Sequence, residues 1–253
     1  MKAPVVLVGV GEMGSVFARG ILRLGHPLYP VTRTTPISEV AAAIPDPAIA
    51  LVAAGEADLA PVLADLPQSW RNRLGLLQNE LLPSDWESFY QPTVISVWFE
   101  KKPGMDHKVI IPSPLFGPQA GLIAAALDTL KIPTRVLNNA DDLLFELVVK
   151  NLYILTTNIA GLRTGGTVGQ LWDRNRELAG RVGNEIIDLQ EAMTGRCFDR
   201  DALFAAMIKA FEGDPDHKCM GRSAHARLTR ALEQAKTHGL TLPTLAEFQS
   251  QPD

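Results

Sequence analysis

At 253 residues and 46% hydrophobic composition, the chain can bury one large core or two ordinary ones, which excludes a disordered segment. The 24 Lys plus Arg stand against 28 Asp plus Glu, a net charge of -4, so no basic field exists to attract a nucleic-acid backbone, and nucleic acid is excluded as a partner. Cys197 and Cys219 have neither metal-ligand spacing nor the density of a secreted disulfide scaffold, so no metal is expected and a reducing cytoplasm suits the chain.

The apolar run Pro4 to Val10 is too short to span a bilayer and ends in glycines rather than a small-residue cleavage site. It reads as a buried strand, Val5 to Val8, and no membrane contact is expected. A helix follows from Met13 to Leu24, ended by Gly25-His26, and then a second strand from Leu28 to Val31. The passage Pro36 to Pro47 is brief. Further strands are predicted at Ile49 to Ala53, Leu74 to Leu77, Thr93 to Val97 and Lys108 to Ile111, with helices at Leu59 to Leu66 and Pro118 to Leu130. This alternation is the rhythm of βαβ units feeding a mostly parallel sheet, an α/β fold.

After Val136 the strand signals stop. Asp141 to Thr157, Asn175 to Thr194, Asp199 to Phe211 and Ser223 to Thr237 carry apolar residues at helical spacing. The chain therefore divides into an α/β domain, residues 1–137, and an all-α domain, residues 138–253, joined at Leu137-Asn138-Asn139. There is no internal repeat and no low-complexity tract.

The turn Gly9-Val10-Gly11-Glu12-Met13-Gly14 lies between a buried strand and an amphipathic helix, the context that raises this motif above its weak bare form. The first glycine permits the tight turn, the second lets backbone approach a pyrophosphate, and the third lets helix and strand pack closely; the helix N-terminus then presents unpaired N–H groups. The plain alternative is a glycine turn with no ligand. After the second strand comes Thr32-Arg33-Thr34-Thr35. An acid at this point would bind the adenosine ribose, whereas Arg33 with neighbouring hydroxyls suits a 2′-phosphate, which favours NADP over NAD. The alternative for Arg33 is a solvated surface side chain. Trp98-Phe99-Glu100-Lys101-Lys102 has two readings: a cleft wall at Trp98 with Lys101 and Lys102 meeting an acidic ligand, or a strand end followed by a solvated charged turn.

Taken in order, Gly9-Val10-Gly11-Glu12-Met13-Gly14, Arg33, Leu77-Gln78-Asn79, Phe116-Gly117-Pro118, Asn138-Asn139, the helix bearing Lys150, and a terminal helix ending in His238-Gly239-Leu240 before Leu242-Pro243 resemble ketopantoate reductase (2-dehydropantoate 2-reductase) and its relatives. The resemblance runs nearly the whole chain. It implies a Rossmann domain followed by a 6-phosphogluconate-dehydrogenase-like helical domain, and an oxidoreductase that passes hydride from NADPH to the carbonyl carbon of a 2-oxo acid. Lys150 matches the lysine that protonates the forming alkoxide, a position that needs a cation because negative charge grows on the oxygen. Asn79 matches an asparagine beside cofactor and substrate. Asn158, about two helical turns beyond Lys150 and read as lying on the same helix face, matches a substrate-binding amide.

Three positions depart from the family. Ile154 stands where a second asparagine is expected. Gly221-Arg222-Ser223-Ala224-His225 lacks the glutamate that holds the substrate hydroxyl, leaving Ser223 or His225 in its place. The lysine expected after the strand ending near Ala53-Ala54-Gly55 is absent. The substrate is thus a small molecule met by a diverged, more apolar pocket. Helical domains of this kind often pair, which makes a homodimer the assembly to test. Two other readings stay open: a cofactor-binding sensor without catalysis, and another dehydrogenase of the same superfamily, such as a pyrroline-5-carboxylate or β-hydroxyacid enzyme.

Overall fold

A computed structural model describes residues 2–249. The first compact unit runs to Glu146 and the second begins at Leu147. Strands β1 (Val5–Val8), β2 (Leu28–Val31), β3 (Ile49–Val52), β4 (Leu74–Leu76) and β5 (Thr93–Ile95) pair in parallel, in the order β2-β1-β3-β4-β5. All four residues of β1 and of β3 are buried, as expected for central strands of a sheet covered on both faces. Val5 pairs with both Leu28 and Ile49, so β1 is the axis on which the first βαβ unit is built.

Two strands differ from the sequence expectation. The run from Lys108 does not join the sheet: β7 (Lys108–Val109) folds back on β6 (Phe99–Glu100) as an antiparallel hairpin. The sheet instead takes β8 (Ser113–Phe116), antiparallel to β5, and then β9 (Thr134–Val136), parallel to β8. Pro114 disguises β8, because proline cannot donate to a ladder. Here it contributes its carbonyl alone, which accepts the Ser96 N–H at 2.9 Å.

Helices α1 (Glu12–Arg23), α2 (Ile37–Ala43), α3 (Leu59–Ala64) and α4 (Ala120–Asp128) complete this unit. Val16, Phe17 and Ile21 of α1 meet Ile123, Ala126 and Leu127 of α4 in one core with Val5, Leu7, Ile49 and Leu51. Gly20 lets α1 and α4 touch: a Cβ there would lie 2.4 Å from the Ala126 carbonyl oxygen. The passage 36–47 holds the short helix α2 and no strand.

The second unit is helical. Helix α5 (Ala140–Thr164) begins at the joint, where Asn139 accepts the Asp142 N–H at 2.8 Å and caps it. It runs a full two turns beyond Thr157, the end expected from sequence. The polar trio Thr156-Thr157-Asn158 mimics a break, yet Thr157 Oγ1 donates to the Tyr153 carbonyl at 2.8 Å and Asn158 Nδ2 to the Ile154 carbonyl at 2.9 Å, so both bond back along the helix. By composition α5 is long and apolar enough to cross a membrane, but 89% of its most apolar window is buried, which marks a core helix. Around it lie α6 (Val168–Arg174), α7 (Arg176–Thr194), α8 (Arg200–Gly213), α9 (Ala224–Thr237) and α10 (Pro243–Gln249). Helices α6 and α10 add to the sequence reading. Helix α6 has a capping box between Thr167 and Gln170, and α9 is followed by α10, so the helix ending at His238 is not the terminal one. Glu185 of α7 accepts the N–H groups of Thr244 and Leu245 at 2.7 and 2.9 Å, fixing the start of α10.

Candidate functional site

In the first unit the turn from β1 to α1 has the geometry a pyrophosphate needs. Gly9 has φ +93°, a conformation disfavoured for any side chain, and a Cβ on Gly14 would stand 2.2 Å from the Gly9 carbonyl oxygen. Gly11 differs from both. It is the N-cap of α1, it provides no side-chain cap, and a Cβ added to it meets no atom within 4 Å. Ser15 N–H closes the first helical bond, to Gly11 O at 2.8 Å, so Glu12, Met13 and Gly14 have no carbonyl within the helix to bond. Val10 is exposed between the glycines. The turn therefore holds an uncapped helix N-terminus facing open space, which fits a dinucleotide's pyrophosphate.

Beyond β2, Arg33 is almost fully exposed, with a side-chain exposure of 96%, and its guanidinium is 3.9 Å from Asp58. That separation in water leaves the arginine available. Beside it the hydroxyls of Thr32, Thr34 and Thr35 cluster, Thr32 Oγ1 lying 3.1 Å and 2.9 Å from the other two. Asn79 follows the carboxyl end of β4, as the glycine turn follows that of β1, and donates to Glu56 at 3.0 Å. Its placement depends on Gln78, whose buried amide donates to the Val52 carbonyl at 2.8 Å and accepts the Leu77 N–H at 3.1 Å, knitting the ends of β3 and β4. Neither Gln78 nor Glu56 was singled out from sequence; the adjacent Leu77-Gln78-Asn79 motif was the available signal.

The charged turn is not loosely solvated. Lys101 Nζ is 2.9 Å from Glu12 Oε2 and 2.8 Å from the Lys102 carbonyl, with its side chain only 15% exposed. Arg19 beside Asp106 holds that carboxyl low, at about 2, and so moors the hairpin to α1. Trp98 is fully buried, its backbone N–H donating to Ser113 Oγ at 2.9 Å, and presents no face to a cleft.

In the second unit Lys150 is buried on α5, its ammonium 5.8 Å over the Tyr153 ring centroid. At 3.6 residues per turn, Asn158 lies about 80° around the axis and about 12 Å along it from Lys150, so the two sit at opposite margins of one broad helix face. Both are buried because α5 is enclosed on every side from 147 to 161. Asn158 Oδ1 accepts from the Gly221 N–H at 3.3 Å and from Arg227 at 3.1 Å. The amide thus ties α5 to the segment carrying Ser223, which is exposed at the N-cap of α9 without a side-chain cap bond. Ile154 is buried. Arg227 was not anticipated, and no sequence pattern announced it.

The chain is thus a Rossmann unit followed by an all-helical unit, a two-domain fold shared with solved ketopantoate reductases and D-mandelate dehydrogenase. The 2-dehydropantoate 2-reductase of Methylococcus capsulatus superposes with a TM-score of 0.71 at 13% identity, over 98% of this chain and 94% of that one. A dimeric ketopantoate reductase from Staphylococcus aureus gives 0.66 at 17%, over 98% and 96%. D-mandelate dehydrogenase with NADH gives 0.69 at 12%, over 98% and 96%. No protein-family model matches the chain, and no curated protein does so by sequence.

Proposed function

We propose that this protein is an oxidoreductase that uses a nicotinamide dinucleotide, and specifically an NADPH-dependent reductase of a 2-oxo acid or related carbonyl. The observation that carries the reading is the open space at Gly11 in an uncapped helix N-terminus, flanked by two glycines that no other residue could replace. Gly9, Val10, Gly11, Glu12, Met13 and Gly14 hold the pyrophosphate; Asn79 lies at the same carboxyl end of the parallel strands. Arg33 and its threonine hydroxyls favour the 2′-phosphate of NADP, although one neighbour of the same fold was solved with NADH. When bound, NADPH supplies the hydride.

Lys150 acts as general acid, stabilising negative charge on the substrate oxygen and delivering a proton to it. Burial suits that role, since an ammonium held away from water interacts more strongly with a developing alkoxide. Asn79, Asn158 and Ser223 position the substrate, with Ile154 making its pocket more apolar than a second amide would. The neighbours named for ketopantoate and mandelate chemistry support a small 2-oxo or 2-hydroxy acid. A cytoplasmic homodimer is the expected form, following the dimeric Staphylococcus aureus enzyme.

The test is NADPH oxidation across a panel of 2-oxo acids, with Lys150→Ala alongside. We expect turnover by the wild type and a loss of about 10²- to 10⁴-fold in kcat for the variant with NADPH affinity unchanged. Lys150→Ala turning over as fast as the wild type contradicts the assignment of Lys150, and wild-type protein that binds NADPH without any turnover points to a sensor.

A further inference from the structure

Glu12 is the one acidic side chain in the phosphate-binding turn, and it occupies the first turn of α1. A helix N-terminus presents roughly half a positive charge, so a full carboxylate there outweighs the attraction the turn has for an anion. Lys101 reverses the balance. Its ammonium stands 2.9 Å from Glu12 Oε2, and adding one positive charge to one negative leaves the helix end again the net attractor.

The lysine is not a chance surface partner. A second acceptor, the Lys102 carbonyl at 2.8 Å, fixes the same ammonium, and the side chain is mostly shielded from water. The hairpin that bears it is anchored along α1 at three further points: Phe17 and Phe99 have ring centroids 6.0 Å apart, and Arg19 lies 2.9 Å from Asp106 and 3.2 Å from His107. Glu12 remains half-exposed, and an ion pair with one partner in water contributes little to stability, so holding this one so firmly at the turn is better explained by what it does to the local charge.

We propose that Lys101 is a positioning residue for dinucleotide binding, neutralising Glu12 so that the turn Gly9 to Gly14 accepts a pyrophosphate dianion. The inference rests on the cofactor reading above and assigns a role that reading leaves empty.

The experiment is calorimetric titration of NADPH into the full-length wild type, Lys101→Ala, Glu12→Gln and the double variant, with melting curves to verify folding and Lys101→Gln in reserve should Lys101→Ala not fold. Lys101→Ala is expected to weaken binding by about tenfold or more, the scale of a charge-assisted contact. Glu12→Gln, which keeps the backbone N–H of the turn and leaves the Lys101 ammonium unneutralised, is expected to bind more tightly than the wild type, and the double variant to recover to within about threefold of wild type, because the pair acts as a unit. The deficit of Lys101→Ala shrinks as salt screens Glu12. Unchanged affinity in Lys101→Ala overturns the proposal, as does a double variant as weak as Lys101→Ala, which would mean that the ammonium meets the ligand directly. A wild type that binds neither NADPH nor NADH removes the cofactor reading itself; binding that is indifferent to Lys101 removes only this inference.

Discussion

Asn158 on α5 accepts a hydrogen bond from Arg227 on α9 at 3.1 Å, while its own amide nitrogen donates to the Ile154 carbonyl. An amide read from sequence as a substrate group is therefore also a tie between two helices and the loop at Gly221. Removing it breaks the bonds to half-buried Arg227 and to the Gly221 N–H, so Asn158→Ala is expected to cost about 1 kcal/mol of stability. A urea unfolding midpoint unchanged from wild type would refute the structural role. If Asn158 also holds substrate, KM rises in addition to the loss of stability.

Gly11 and Gly14 separate the needs of ligand and fold. Gly11 has φ -77° and free space around it, so Gly11→Ala should fold normally yet lose NADPH binding, because the new methyl fills the approach a pyrophosphate uses. Gly14→Ala drives a methyl to 2.2 Å from the Gly9 carbonyl oxygen and should lower the melting temperature. Thermal shift with and without NADPH reads both effects. Gly11→Ala binding like the wild type would move the ligand elsewhere.

Arg33 stands 3.9 Å from the Asp58 carboxylate and faces water. Arg33→Ala is expected to raise the NADPH Kd about ten- to a hundredfold while leaving that for NADH unchanged, since a charged hydrogen bond to the 2′-phosphate is the only interaction removed. Equal loss for both nucleotides would contradict a 2′-phosphate role and assign Arg33 to the shared part of the dinucleotide.

Most of the first unit was legible because its central strands are unbroken apolar runs, Val5 to Val8 and Ile49 to Val52, each punctuated by glycine or proline on either side. What escaped did so for local reasons. Pro114 hid a strand that uses only its carbonyl, and the apolar residues after Lys108 stood out more than the strand that belonged to the sheet. Thr156-Thr157-Asn158 looked like a helix end because these residues favour caps, yet two of them bond back to their own helix. The glycine turn and Arg33 were readable because their neighbours in sequence are their neighbours in space. The partners of Asn158, Asn79 and Glu12 lie 69, 23 and 89 residues away, a separation no local pattern encodes.

Cys197 is exposed and Cys219 is buried, and burial pushes the Cys219 thiol up to about 11. The thiolate is the reacting form, so the native protein should titrate one thiol per chain rapidly at pH 8, with the second appearing only on denaturation. The same shift has a sign for stability. Unfolded, the Cys219 thiol ionises near 9.0, whereas folded it keeps its proton to about 11, so the unfolded state loses protons first and stability falls as the pH rises through that interval. Cys219→Ser removes this titration, and its unfolding midpoint should fall less steeply between those pH values than that of the wild type. Two rapidly reacting thiols in the native protein would contradict the burial of Cys219 against the close-packed Gly161, where an added Cβ would stand 2.9 Å from Cys219 Cβ.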